Sequence, residues 1–297
     1  MLEKKFSEYF KLIIYVSLIF IFILSNTSNA VNSTNEAFFK AIEIGDVEKV
    51  ESLLKGGVDV NVSHDRWGIT ALTGAAGWGK KEIVKLLLGR GANIELKDGY
   101  GATPLMSAAK GGHIDVVKVL LAHGADINVK SQYSSAPLWL AAEKGHKEIV
   151  KLLLKEGSSA NATDPESGES VLHRAAGLGH VEIVKTLIDY GADVNHSMLY
   201  GGSTPLINAA MNGHYQIVKI LLEKGVNINR CSDVGTPLSV AVEGRHVEII
   251  KLLLTYGADG QYKDEFCKSA LEIAKQKGDK DIIELLQRNS SKPPLNN

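Results

Sequence analysis

Seven mostly small residues recur through this chain at nearly constant intervals: Thr70, Thr103, Ala136, Ser170, Thr204, Thr236 and Ser269, separated by 33, 33, 34, 34, 32 and 33 residues. A period of this length marks stacked supersecondary units. Each is too small to bury its apolar face alone and is covered by its neighbours. The period therefore dictates an array, and the 297 residues need not divide into two globular domains as length alone suggests.

The same residues in the same phase predict what each unit looks like. The recurring Thr or Ser opens a helix and caps its first turn. Pro104, Pro137, Pro205 and Pro237 take the next place, where no N–H is needed. A Leu and an Ala-Ala pair follow, as in Leu105 with Ala108 and Ala109, small enough for neighbouring helices to approach closely. Gly-His turns come next at His113, His146, His180 and His214. A second helix then carries apolar residues at helical spacing, for example Ile149 to Leu153. Gly91, Gly124, Gly157, Gly191, Gly225 and Gly257 end these second helices at the place for a left-handed residue. Segments such as Ala125-Asp126 to Asn128 lead into a turn toward the next unit.

This combination of Thr-Pro-Leu opening, Gly-His turn, Leu-Leu second helix and Gly-Ala-Asp-x-Asn exit resembles the ankyrin repeat. The resemblance implies an all-α repeat solenoid of stacked helix-turn-helix units joined by β-hairpin-like turns. It covers about residues 36–288 and includes a degenerate first unit from Phe38 to Asn61, for about eight units in all. Residues 31–35 read as a short linker and 289–297 as a loose tail. One departure stands out: Arg245 occupies the glycine place before His246, which predicts a distorted turn.

The first thirty residues read as an export signal. Lys4, Lys5 and Lys11 precede an unbroken run of mainly large apolar residues from Leu12 to Leu24, and Ser28 and Ala30 stand at signal-peptidase spacing. An uncleaved membrane anchor is the alternative, although thirteen helical residues reach about 20 Å against a hydrocarbon layer of about 30 Å. Export makes the chain periplasmic or secreted.

Charge excludes one class of partner. Thirty-three Lys and Arg against 34 Asp and Glu leave no field for gripping nucleic acid. Catalytic and cofactor chemistry finds no support either. The stretch from Gly74 to Lys81 nearly spells a phosphate loop, but Lys81 stands where Ser or Thr would hold Mg²⁺, and the phase puts Gly74 to Gly77 on a helix. The row His113, His146, His180, His214 and His246 reads as an inter-repeat lattice bonding backbone; rungs about 10 Å apart cannot share a metal. The row Lys85, Lys118, Lys151, Lys185, Lys219 and Lys251 is mostly preceded by acids three residues earlier and reads as a balanced outer face. The chain is therefore read as no enzyme, with no cofactor and no metal. Cys231 and Cys267 fall in consecutive turns, three residues out of phase, which leaves their pairing open.

Aromatic residues are sparse, at 6%, so their placement carries weight. Trp67, Tyr100 and Tyr133 lie 33 residues apart, each three places before a helix opener; Phe266 holds the same place and Tyr200 is displaced by one. The resemblance implies that these turn tips and the first helices line a concave face where such proteins bind partners. Trp67, Tyr100, Tyr133, Tyr200 and Phe266 are thus the expected partner contacts, with Met106 and Trp139 of the first helices behind them. The expected function is an exported, monomeric scaffold binding another protein. The rivals are a tethered or periplasmic protein shielding an envelope partner, and a secreted effector acting on host proteins.

Overall fold

The computed structural model describes residues 32–64, 67–129, 136–263 and 267–289. The signal segment 1–30, Tyr133, Phe266 and the tail beyond Asn289 lie outside the described residues. Helical residues 32–44 form α1, so the linker expected at 31–35 is helical from residue 32 onward. It pairs in sequence with α2 (Val47–Lys55). Seven further pairs follow: α3 (Ala71–Gly77) with α4 (Lys81–Gly89), α5 (Pro104–Gly111) with α6 (Ile114–Ala122), α7 (Pro137–Glu143) with α8 (Lys147–Lys155), α9 (Val171–Gly177) with α10 (Val181–Asp189), α11 (Pro205–Met211) with α12 (Tyr215–Glu223), α13 (Pro237–Glu243) with α14 (Val247–Thr255), and α15 (Ala270–Lys277) with α16 (Lys280–Asn289).

Each first helix from α3 to α15 packs on the next first helix, and each second helix from α2 to α16 on the next second helix. The result is a two-layer α-solenoid. Its core runs unbroken from Phe38 to Leu286. The Ala-Ala pairs are fully buried between first helices, and Leu87, Leu120, Leu153 and Leu187 fill the gap between layers. Burying one such leucine is worth about 2 kcal/mol.

The side-chain oxygens of Thr70, Thr103, Ser170, Thr204, Thr236 and Ser269 accept the N–H three residues on, as the spacing predicts; Ala136 cannot. Antiparallel pairing occurs only at the turn bases among the described residues: β1 (Ser63–His64) with β2 (Ile69–Thr70), and single bridges Thr163–Ser170 and Ser232–Gly235. A disulfide joins Cys231, in the turn before α13, to Cys267, in the turn before α15, with Cα atoms 6.4 Å apart.

The histidine row is the lattice the sequence suggests. The Nε2 atoms of His113, His146, His180, His214 and His246 donate to the carbonyls of Gly77, Lys110, Glu143, Gly177 and Met211, each in the preceding unit, at 2.9–3.3 Å. The same rings fix the turn glycines. A Cβ on Gly79 would lie 2.5 Å from the His113 ring, and one on Gly112 2.6 Å from His146. These glycines also hold positive φ, so both space and backbone demand them.

The turn at Arg245 corrects the expected distortion. Arg245 adopts φ +55°, the left-handed geometry of its glycine counterparts, and keeps their backbone hydrogen bonds. What differs is the next unit, where Asp279 stands in the histidine place. No ring presses on the turn, so a Cβ fits, and the Arg245 guanidinium pairs with Asp279 at 2.9 Å. Lys277 Nζ donates to Glu243 O at 3.0 Å, serving the carbonyl a histidine at 279 would have reached.

Candidate protein-binding face

The turns between units are ordered as fingers by local chemistry. Asp98 Oδ1 accepts the N–H groups of Tyr100 and Ala102, both at 2.9 Å. Asp164 Oδ1 does the same for Glu166 and Ser167 at 3.1 and 2.8 Å. Adjacent fingers are tied edge to edge: Gly99 N–H donates to Trp67 O at 2.7 Å, Leu199 N–H to Ser167 O at 3.1 Å and Asp233 N–H to Gly201 O at 2.9 Å. A Cβ at Gly99 would run into the Trp67 carbonyl, which explains glycine there.

Three expected contact residues stand out from these fingers. Trp67 is 42% exposed, Tyr100 50% and Tyr200 76%. Trp67 and Tyr100 stack on each other, ring centroids 5.3 Å apart and planes 15° from parallel. Each therefore packs on its neighbour through part of its surface and offers the remainder to solvent. Tyr133 and Phe266 lie outside the described residues.

Met106 and Trp139 must be corrected. Met106 is 0% and Trp139 8% exposed, so neither is a surface contact. Both occupy the third place after the helix opener, whose side chain folds back beneath the finger. Met106 packs against its own cap, with Sδ 3.5 Å from Thr103 N. His173, in the same place, is fully buried: its Nε2 donates to Ser203 O at 3.0 Å, and its Nδ1 accepts from the Ser170 hydroxyl at 2.7 Å. Burial lowers the His173 pKa to about 4, against the bond to Ser203, which raises it.

The units disagree with one another one place later, at Gly74, Ser107, Leu140, Arg174, Asn208, Val240 and Ile273, of which Gly74, Leu140 and Val240 are buried and the rest half-buried, and one further helical turn on at Trp78 and Leu178. Trp78 and Leu178 are exposed, as is Met211 at the end of α11. The Trp78 ring lies over Gly74, 3.1 Å from where a Cβ would stand, and Ile69 flanks the same point at 3.5 Å. Leu178 and Leu199 were not singled out by the sequence because leucine is common throughout the repeats. Comparing the units place by place finds the helix positions, since there the units disagree with one another while the Leu and Ala-Ala places agree.

Arg174 is the only charged residue at the first of these places; Lys144 and Lys277 stand at the place one turn further on. Its guanidinium lies 4.5 Å from the Trp139 ring centroid, and Nη2 pairs with Glu169 at 2.8 Å. Burial raises the Glu169 carboxyl above its usual range; Arg174 pulls it down, and Asp164 and Glu143 push it up. Trp139 Nε1 and Arg174 Nε are buried donors with no hydrogen-bond partner among the described residues. Groups of three or more metal-ligating side chains are absent from the described residues.

The comparisons with known proteins agree with this architecture. The family model described as "Ankyrin repeats (3 copies)" matches residues 38–131, 130–198 and 198–264. The chain belongs to the ankyrin-repeat family, whose repeats form protein–protein interaction scaffolds. The human ASB11 ankyrin repeat domain has a similar structure, with a TM-score of 0.64 and 27% identity, covering 71% of this chain and 96% of that one. Mouse 2-5A-dependent ribonuclease is 38% identical over 69 residues, 23% of this chain and 9% of that protein. The mouse protein named ankyrin repeat, SAM and basic leucine zipper domain-containing protein 1 is 44% identical over 63 residues, 21% of this chain and 13% of its own length. The chain thus spans about a tenth of the curated relatives it matches.

Proposed function

We propose that this protein is an exported, non-catalytic scaffold that binds another protein through the face lined by its fingers and first helices. The observation that carries the reading is the row of exposed tip aromatics, Trp67, Tyr100 and Tyr200, in a chain where only 6% of residues are aromatic. Large aromatics on a rigid, hydrogen-bonded finger lose little entropy on binding and bury much area. Tyr133 and Phe266 extend the same row in sequence and belong to the proposal. Export is supported by two independent features: the charged, apolar and small-residue order of residues 1–30, and the Cys231–Cys267 bond, which persists in an oxidising compartment. The ribonuclease activity named for one relative belongs to that protein, of which only 9% is matched.

The test has two arms. The mass of the protein recovered from cell fractions should lack residues 1–30, and a full-length cytoplasmic product would refute export. Affinity capture should then compare the native chain with the Trp67→Ala/Tyr100→Ala/Tyr200→Ala variant, circular dichroism confirming that both are folded. A partner held by the native chain and released by the variant is the expected result. Equal capture by both would assign the aromatics to packing and refute this face as the contact surface.

A further inference from the structure

The centre of the finger face differs from its ends. Toward the N-terminal end it offers Trp67, Trp78 and Tyr100; beyond Arg174 it offers Leu178, Tyr200 and Met211. Between them stands Arg174, a cation in a built setting. Arg174 is 34% exposed at its side chain, stacked on a buried indole and restrained by Glu169. Stacking and a fixed carboxylate preorganise a guanidinium, so that little entropy is lost when its free edge engages a ligand.

The unsatisfied atoms beside it say which ligand. Trp139, more than nine-tenths buried, has an indole N–H with no partner among the described residues, and Arg174 Nε–H has none among them either. Both are donors. A cationic partner group would leave them as they are; any acceptor oxygen suits a donor, and the Arg174 charge beside them favours an anionic one. Resting on the finger-face reading above, we propose that Arg174 is the polar anchor of this face and takes a carboxylate, an Asp or Glu side chain of the partner, from a segment apolar on either side. Glu169 is its stand-in when no partner is bound, occupying one edge of the guanidinium.

The experiment uses pools of fluorescein-labelled peptides about nine residues long, enough to run about 30 Å extended along the face. The central residue is fixed as Glu, Gln or Lys and the others are randomised. Fluorescence anisotropy with the folded chain should show the Glu pool binding about tenfold tighter than the Lys pool, or more. Arg174→Gln should abolish that preference and Arg174→Lys should weaken it, because the fork is lost while the charge stays. Glu169→Gln, which leaves Arg174 in place, should keep or strengthen it; this variant separates anchoring from mere folding support. Lys185→Gln on the outer face should change nothing. A Glu pool no tighter than the Lys pool, or a preference that survives Arg174→Gln, overturns the proposal. If every pool is still weakened by the tip-aromatic triple variant, the finger face stands without its anchor. If no pool responds to either set of substitutions, both readings fall.

Discussion

His173 should make this protein acid-sensitive in a measurable and removable way. The ring is fully buried, and its pKa is lowered from 6.5 to about 4 because burial penalises the imidazolium. A histidine depressed on folding binds fewer protons in the native than in the unfolded chain. Its stabilising effect is therefore complete above pH 6.5 and is lost as the pH falls toward 4. The full shift corresponds to about 3 kcal/mol, of which about 2 kcal/mol is lost between pH 7.5 and pH 5. The repeat supplies its own control, since Met106 occupies the equivalent place two units earlier. His173→Met should be less stable than native at pH 7.5 by about 1 kcal/mol, because Ser203 O loses its donor. Between pH 7.5 and pH 5 it should lose about 2 kcal/mol less than the native chain. Urea unfolding at the two pH values measures both, and differences between the proteins cancel the carboxylates they share. Parallel losses in native and variant would refute the assignment of a buried, neutral His173.

Three further outcomes follow from individual contacts. Ser158 has a buried hydroxyl without a partner, in a place filled by Ala92, Ala125, Ala192 and Ala258 in other units; Ser158→Ala should raise stability by about 1 kcal/mol in thermal unfolding, and a loss would contradict the reading. Reducing Cys231–Cys267, separated by 36 residues, should destabilise the end of the array by up to about 4 kcal/mol on the chain-entropy account, read as a lower urea midpoint with reductant; coincident curves would contradict it. Asp279→His should cost about 2 kcal/mol or more, because a ring would meet the Arg245 side chain as the other rings meet a Cβ, and adding Arg245→Gly should recover most of the loss; an additive double variant would rule out that coupling.

The period made the architecture legible before any coordinate. Caps at Thr103 or Ser170, glycine stops and the histidine lattice are local rules repeated in phase, and each appears where its spacing places it. Two things were not legible. At Arg245 the sequence shows a missing glycine, but what the turn tolerates is decided 34 residues later, by Asp279 replacing a ring. At Met106 and Trp139 the residue types suggested an apolar contact surface, yet the third helical place is buried at Thr73, Met106, Trp139, His173, Ile207 and Ser239 alike. Side-chain direction on a helix changes by about 100° per residue, so one place separates the fully buried His173 from the half-buried Arg174. Arg174, one place later, shows its setting only when the Trp139 ring and Glu169 from two different units are brought together.

Hydrogen exchange on a captured complex tests the central claim most directly. Binding through the finger face should slow exchange in the turns holding Trp67, Tyr100 and Tyr200 and in the first helices around Arg174. The solvent side of α4 to α14 should exchange as in the free chain. Protection confined to those second helices, with the fingers unchanged, would contradict the account.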